Sequence, residues 1–223
     1  MSNIIHAENL TLSYKKDQED ILSNISFNVH KGEFVFITGL SGSGKSTLLK
    51  SIYGELKPKM GSLTVVENDL VTIKSKQLEK FRRKLGIVFQ DYKLINEWTI
   101  EENIRLPLKI AKATEKTQLG RMPLLLAHAN LFDILERYPL ELSGGEQQRV
   151  GVVRALVHEP LLILADEPTG NLDAESSAVI WKLLGEASSL LDITVLVVTH
   201  QIPKIFAFPH RHLTIKEKGL YEL

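Results

Sequence analysis

The chain has 223 residues, 43% of them hydrophobic, with 27 basic and 27 acidic side chains, 7 histidines and no cysteine; this is one large domain, or one domain carrying an inserted subdomain. The balanced charge leaves no basic footprint for nucleic acid, which is not expected as a partner, and the lack of cysteine fits a reducing compartment. Residues 1–8 lack the pattern of a secretory signal and no apolar run approaches the ~20 residues of a membrane helix, so the expectation is a soluble, cytoplasmic chain that reaches a membrane only through a partner.

Residues 4–12, 25–29 and 61–66 alternate apolar and polar side chains between turn signals, as half-buried antiparallel strands do. Residues 33–38 read as a continuous apolar strand, and 45–53 as a helix with Gly54 as its C-terminal cap. Another buried strand is expected at 85–89, ending at Gln90. From residue 91 to about 140 the period becomes helical, with segments at 100–110 (Pro107 a kink or break), 118–130 and 131–137. A helix at 147–157, a strand at 161–165, a helix at 174–190, a strand at 194–198 and a last helix near 203–207 follow. The tail, 212–215 and 220–223, predicts a hairpin around Gly219. Buried strands alternating with helices predict an α/β fold with a mostly parallel sheet. The reading is a single domain over 1–223: a core from 1–90 and 150–223 with an N-terminal antiparallel β subdomain, and an inserted α-helical subdomain at 91–149.

Between the strand at 33–38 and the next helix stands Gly39-Leu-Ser-Gly-Ser-Gly-Lys-Ser46, which fits the phosphate-loop pattern G-x-x-x-x-G-K-[ST] in the strand–loop–helix context such a loop needs. This makes the core that of a P-loop NTPase of the RecA-like type. Gly39, Gly42 and Gly44 let the backbone curl so that its N–H groups converge on the β- and γ-phosphates, and the helix adds its positive end. Lys45 supplies a mobile charge to the same oxygens, Ser46 a hydroxyl to Mg²⁺, and Ser41, Ser43 and Thr47 complete the nucleotide-binding loop. Further on, Leu161-Leu-Ile-Leu-Ala-Asp166-Glu167 is an apolar strand that delivers two adjacent carboxylates. Asp166 is placed to hold Mg²⁺ through water and Glu167 to polarise the attacking water.

Residues 142–149 read Leu-Ser-Gly-Gly-Glu-Gln-Gln-Arg, about a hundred residues after the phosphate loop and shortly before the Asp-Glu strand. This string, with the other two motifs, resembles a single large family, the ATP-binding cassette (ABC) ATPases, over nearly the whole chain. The resemblance implies an ATPase that binds ATP and Mg²⁺, forms a head-to-tail homodimer around two nucleotides and drives a membrane partner. It implies that Ser143, Gly144 and Gly145, with Glu146 beside them, close over the γ-phosphate of ATP bound to the second copy. Two small residues and a hydroxyl before a helix start also suit an anion cradle on physical grounds. By the same resemblance Gln90 touches the metal or water and senses the γ-phosphate, and His200 contacts the γ-phosphate and Glu167. The stretch Asn171-Leu-Asp173 matches a loop that communicates across the dimer, with Asn where a smaller residue is commoner; Gln201 stands where Asp is usual. Tyr14 sits where the family stacks an aromatic ring on adenine, with strand packing as the other reading.

Phe81-Arg-Arg-Lys-Leu-Gly-Ile-Val-Phe-Gln-Asp-Tyr-Lys-Leu94 and Trp98-Thr-Ile-Glu-Glu-Asn103 resemble the cell-division branch of that family. Its ATPases pair with a four-helix-type integral membrane protein, and the resemblance implies a peripheral position on the inner face of the cell membrane and control of cell-wall hydrolases. Lipoprotein-release and macrolide- or peptide-export cassettes are the alternative. Soluble DNA-repair or ribosome-associated relatives carry long coiled-coil insertions or two cassettes, and this chain has neither. Tyr92, Leu94, Ile95 and Trp98 form a candidate docking surface, with Trp98 as core of the helical insert the other reading. Lys74, Lys76, Lys80, Arg82, Arg83 and Lys84 read as a solvated helix face, or as a contact for anionic headgroups or a partner.

Overall fold

The computed structural model describes residues 2–15, 18–111, 115–170 and 172–223, with 115–119 by their main chain. In chain order its elements are β1 (Asn3–Leu12), β2 (Leu22–His30), β3 (Phe34–Gly39), α1 (Lys45–Ile52), β4 (Met60–Val65), β5 (Asn68–Asp69), α2 (Ser75–Arg82), β6 (Leu85–Val88), α3 (Ile100–Ala111), α4 (Glu115–Ala129), α5 (Gly144–Leu156), β7 (Leu162–Asp166), α6 (Ala174–Leu191), β8 (Thr194–Val198), β9 (Arg211–Lys216) and β10 (Gly219–Glu222). One sheet runs β2-β1-β4-β5 with antiparallel neighbours. The other runs β10-β9-β3-β8-β7-β6, parallel throughout except for the closing β9–β10 hairpin. This is the mixed α/β architecture expected, with the parallel core and the N-terminal antiparallel subdomain both in place.

The central strands read as unbroken apolar runs because both of their faces are covered. Phe34, Phe36, Ile163, Ala165, Val195 and Val197 pack against side chains of α3 to α6. The alternate positions Val35, Ile37, Leu162, Leu164, Leu196 and Val198 pack against β1, β2, β4 and α1. The sheet is therefore a wall with a helical layer on one side and the antiparallel sheet on the other.

Local departures from the sequence reading have identifiable causes. The helix expected at 131–137 is a single 3₁₀ turn at Phe132–Ile134. Asn130 takes a left-handed conformation and ends α4, and the Leu131 N–H turns back onto Leu126 O at 3.0 Å. No helix forms near 203–207; a lone turn from Phe206 N–H to Pro203 O stands there instead. Phe206 is pulled into the core among Phe34, Phe36 and Trp181, and that anchoring overrides local propensity. The tail hairpin turns at Glu217 and Lys218, both at positive φ, while Gly219 already pairs with Lys216; two left-handed residues make the tight turn whose twist suits the flanking strands. Pro107 is accommodated inside a continuous α3. α5 begins at Gly144, three residues before the expected start, and so runs across the assumed boundary at 149/150.

One buried polar side chain fixes the segment after Gln90. Asn103, fully buried, accepts from the Ile95 N–H at 2.8 Å and donates to Ile95 O and Thr99 O at 3.0 Å each. Removing it leaves these main-chain groups without their partner. Asn103→Ala should lower stability by about 2 kcal/mol, a fall of roughly 4–8 °C in the unfolding midpoint for a chain of this size. An unchanged midpoint in a thermal scan would show that residues 95–99 are held by other contacts.

Candidate active site

β3 ends at Gly39 and the chain returns as α1 at Lys45, so residues 40–44 form a loop over the carboxyl edge of the parallel sheet. Gly44 has φ +103, and a Cβ there would lie 2.9 Å from Ile21 and 3.2 Å from Leu22; the turn into the helix requires glycine. Lys45 is buried, donating from Nζ to Gly39 O at 2.9 Å and Leu40 O at 3.1 Å. The Ser46 hydroxyl donates to Asp166 Oδ1 at 3.1 Å. Thr47 is buried, with its hydroxyl 3.3 Å from that of Tyr14. The Tyr14 ring is 56% exposed, with Lys50 Nζ 5.9 Å from its centre; it is an open platform rather than a packed strand residue. Gly42 and Ser41 are exposed at the loop crest, whereas the Ser43 hydroxyl is buried without a partner next to Gly39.

The carboxylates arrive from the neighbouring strand. Asp166 ends β7 opposite Val198 of β8, and the next N–H, that of Glu167, donates to Val198 O at 2.9 Å. Glu167 itself sits at φ 44, a strained conformation for a non-glycine residue that is held by its surroundings. Its Oε2 lies 3.0 Å from His200 Nδ1, and its Oε1 lies 3.8 Å from Lys45 Nζ. A carboxylate can only accept here, so the histidine carries its proton on Nδ1. Burial pushes the Asp166 carboxyl above the usual carboxylate range, against the opposing pull of the Ser46 hydroxyl. Tyr14, the phosphate loop, Gln90, Glu167, Gly170 and His200 line one cleft of about 600 Å³. A concavity of about 510 Å³ on the flank of β1 and β2 lacks this convergence: its Arg211 is already forked onto Glu222 at 2.8 Å.

Ser143, Gly144, Gly145 and Glu146 are absent from the lining of this cleft. Ser143 is the N-cap of α5, and its hydroxyl accepts from the Glu146 N–H at 3.3 Å. The Glu146 carboxylate in turn accepts from the Ser143 hydroxyl at 2.7 Å and the Ser143 N–H at 2.8 Å, bonds that hold its carboxyl below the usual range. This is a capping box, and its signal, Ser followed three residues later by Glu, stands in the sequence. Asp173 caps α6 by accepting from the Ser176 N–H at 2.8 Å; Asn171 lies outside the described residues.

One residue of the site escaped sequence reasoning. Arg154, on α5, forks onto Tyr92 O at 2.6 Å and Lys93 O at 2.7 Å. Tyr92 and Lys93 both take left-handed φ, at 60 and 49, and the guanidinium pins this strained pair to the helix. Burial pushes Arg154 down to about 10, so it stays charged at neutral pH. Nothing in the sequence separates it from an arginine on a solvated helix face.

A glycine-rich loop, a lysine, a helix N-terminus and the Glu167 carboxylate on one cleft, with Asp166 bonded behind Ser46, suit a nucleoside polyphosphate and its hydrolysis. The sequence profile of the ABC transporter family matches residues 22–170. The chain is 38% identical to the cell division ATP-binding protein FtsE of Escherichia coli (strain K12) over 218 residues, 98% of this chain and 97% of that protein. It is equally 38% identical to the bacitracin export ATP-binding protein BceA of Halalkalibacterium halodurans over 221 residues, 98% of this chain and 87% of that one. Among solved structures, the dimeric post-hydrolysis state of the ATP-binding cassette MJ0796 bound to ADP and Pi matches with a TM-score of 0.87 at 36% identity, covering 98% of this chain and 97% of that one. The chain belongs to the ABC transporter family. It is an ABC-type ATPase, an ATP-binding subunit that hydrolyses its nucleotide.

The raised Asp166 carboxyl has a consequence for stability. A carboxyl that holds its proton more tightly in the folded chain than in the unfolded one favours folding at low pH. That contribution is lost as pH rises from the unfolded value through the folded one. Asp166→Asn keeps an acceptor for Ser46 and removes the buried charge. The nucleotide-free variant should therefore melt above the wild type at neutral pH, with the gap closing toward about pH 4. Thermal scans across that range check it, and equal midpoints at pH 7 would show that the charge is compensated in the free chain.

Proposed function

We propose that this chain is the ATP-hydrolysing component of an FtsE-type cell-division complex. In it two copies clamp two ATP molecules and pass the resulting movement to an FtsX-like integral membrane protein that controls peptidoglycan hydrolysis. The observation that carries the chemistry is Glu167, strained at the end of β7 and held between Lys45 and His200 on the wall of the cleft. In this reading the phosphate loop and Lys45 bind the β- and γ-phosphates, the Tyr14 ring stacks on adenine, and Glu167 orients the water that attacks the γ-phosphorus. His200 fixes that carboxylate, and Gln90 senses the γ-phosphate from the far wall. The half-buried Asp166 carboxylate beside the Ser46 hydroxyl makes a pair of hard oxygen donors, which fits Mg²⁺. These two residues, with Gln90, would hold the ion, which supplies charge neutralisation for the phosphate oxygens.

The homodimer follows from what the cleft lacks. Residues 143–146 lie outside the lining of the cleft, and in this reading a second copy brings its own Ser143–Gly145 turn to the γ-phosphate. The dimeric state of the related cassette MJ0796 supports this. The FtsE branch is supported by the 81–94 segment and by a match along 97% of the Escherichia coli FtsE chain. Equal identity to BceA supports the second reading, an export-type cassette. Either way the membrane contact comes through the partner: among the described residues no helix is long and apolar enough to cross a membrane.

We place the docking surface beside, rather than on, the residues the sequence suggested, of which Trp98 is half-buried. Leu94 packs against the core, the Tyr92 hydroxyl faces Gly144, and Ile95 is tied down by Asn103. Beside Lys93 lies instead a groove of about 340 Å³ floored by Leu85, Ile87, Phe89, Leu106 and Ile110. Arg82, Arg83, Lys93 and Arg154 rim it, and among the described residues no acidic side chain lines it. A short amphipathic helix with carboxylates suits that groove.

Glu167→Gln should bind ATP normally, nearly abolish hydrolysis and accumulate as an ATP-bound dimer on size-exclusion chromatography; near-normal turnover would remove Glu167 from the catalytic role. For the partner, the complex is purified from the native membrane and the co-purifying integral protein identified. Arg83→Glu with Lys93→Glu should cut that co-purification at least tenfold and leave ATP binding by the isolated chain intact. Full recovery of the partner with the double variant would place the docking surface elsewhere.

A further inference from the structure

The face of α5 that lies on the loop after Gln90 is almost bare. A Cβ at Gly144 would sit 2.9 Å from the Tyr92 hydroxyl, and one at Gly151 would sit 3.9 Å from Tyr92 O. Between these two glycines, one turn beyond Gly144, the same face carries Gln148. Its side chain is fully buried, and among the described residues neither its amide nitrogen nor its amide oxygen has a hydrogen-bond partner. It borders a gap lined by Gln90, Tyr92, Glu167, Pro168, Gly170 and Leu172 that is too small to admit a water molecule. A glutamine amide has two donors and two acceptor sites, and leaving all of them dry is strongly unfavourable. The gap is bounded on both sides by catalytic elements, the Gln90 loop and the Glu167 loop. The polar groups within reach of a small shift are the Gln90 amide and the main chain of 167–170.

We propose that Gln148 is a positioning residue of the ATPase cycle, whose unpaired amide penalises the nucleotide-free arrangement and finds its partners when ATP draws α5 toward the Glu167 loop. The proposal rests on the ATPase assignments above and adds a residue that touches neither nucleotide nor water. The Arg154 fork ties α5 to Tyr92 and Lys93, so the helix and the loop after Gln90 shift as one piece against the Glu167 loop. Gln148, on the face of α5 that borders that loop, then converts the shift into made or unmade hydrogen bonds. The two states differ in free energy through this amide, which is what any device biasing a conformational equilibrium must supply.

The test is Gln148→Met, an unbranched apolar side chain of similar length, made in the wild-type chain and in the Glu167→Gln chain. In the wild-type background without nucleotide, the thermal midpoint should rise by about 2–4 °C, because a dry amide has been removed. In the Glu167→Gln background, the ATP concentration that half-saturates dimer formation should rise about tenfold, because the bonds made in the closed state are gone. These opposite signs in the two states are the mark of a positioning role; a residue that merely fills the core would change both states alike. A variant that melts lower or fails to fold shows the amide to be satisfied in the free chain and overturns the proposal. An unchanged ATP requirement overturns it equally. Two controls separate this from the underlying reading: the wild-type chain must turn over ATP, and Glu167→Gln must not. Failure of either control defeats the functional assignment and the role of Gln148 with it, while intact controls with a neutral Gln148→Met defeat the role of Gln148 alone.

Discussion

The chemistry of this chain depends on the register of three neighbouring parallel strands. Val198 of β8 lies opposite Ile37 of β3 on one side and opposite Asp166 of β7 on the other. β7 and β8 therefore end level and β3 runs two residues further, to Gly39, so the loops that leave them emerge at the same edge of the sheet. That single alignment brings Lys45, Glu167 and His200 within hydrogen-bonding or ion-pair distance, although they come from segments far apart in the chain. Parallel strands buried on both faces hold their register through apolar packing on each side. The site is thus set by side chains that never touch a ligand.

The arrangement also keeps a stored imbalance at the cleft. Glu167 is strained at positive φ, Asp166 is half-buried with its carboxyl pushed above the usual range, and Lys45 is occupied by the carbonyls of its own loop. A cation beside Asp166 would offset the second of these. Strain and unmet charge of this kind collect where function needs them, and the surrounding core supplies the stability that tolerates them.

Much of this was legible in the sequence. The phosphate loop, the Asp-Glu strand and the alternation of buried strands with helices are local patterns, and local patterns survive folding. The failures lie where tertiary contacts decided. Residues 203–207 favoured a helix until Phe206 was claimed by the aromatic cluster around Phe36. Residues 131–137 lost theirs to a left-handed Asn130, and the tail turned two residues before its glycine. The early start of α5 is readable from Ser143 and Glu146, whose spacing is that of a capping box, although two glycines at its first positions weaken the helical pattern. Arg154 and Gln148 were beyond sequence reasoning for a different reason. An arginine and a glutamine on a helix normally face water, and only the packing shows that Gln148 is buried and Arg154 turned onto the loop after Gln90.

Arg154 couples two parts of the molecule that a sequence diagram keeps separate. Its fork holds the carbonyls of Tyr92 and Lys93, so the loop after Gln90 and the helix that begins at Gly144 form one mechanical piece. Pressure applied at Lys93 is delivered, with little lost motion, to the opposite end of that helix. Free-energy coupling between two binding events runs equally in both directions. A ligand that prefers one setting of residues 92–93 must therefore alter the affinity for whatever binds at the tip of α5, and whatever binds at the tip must alter the grip at residues 92–93 by the same factor.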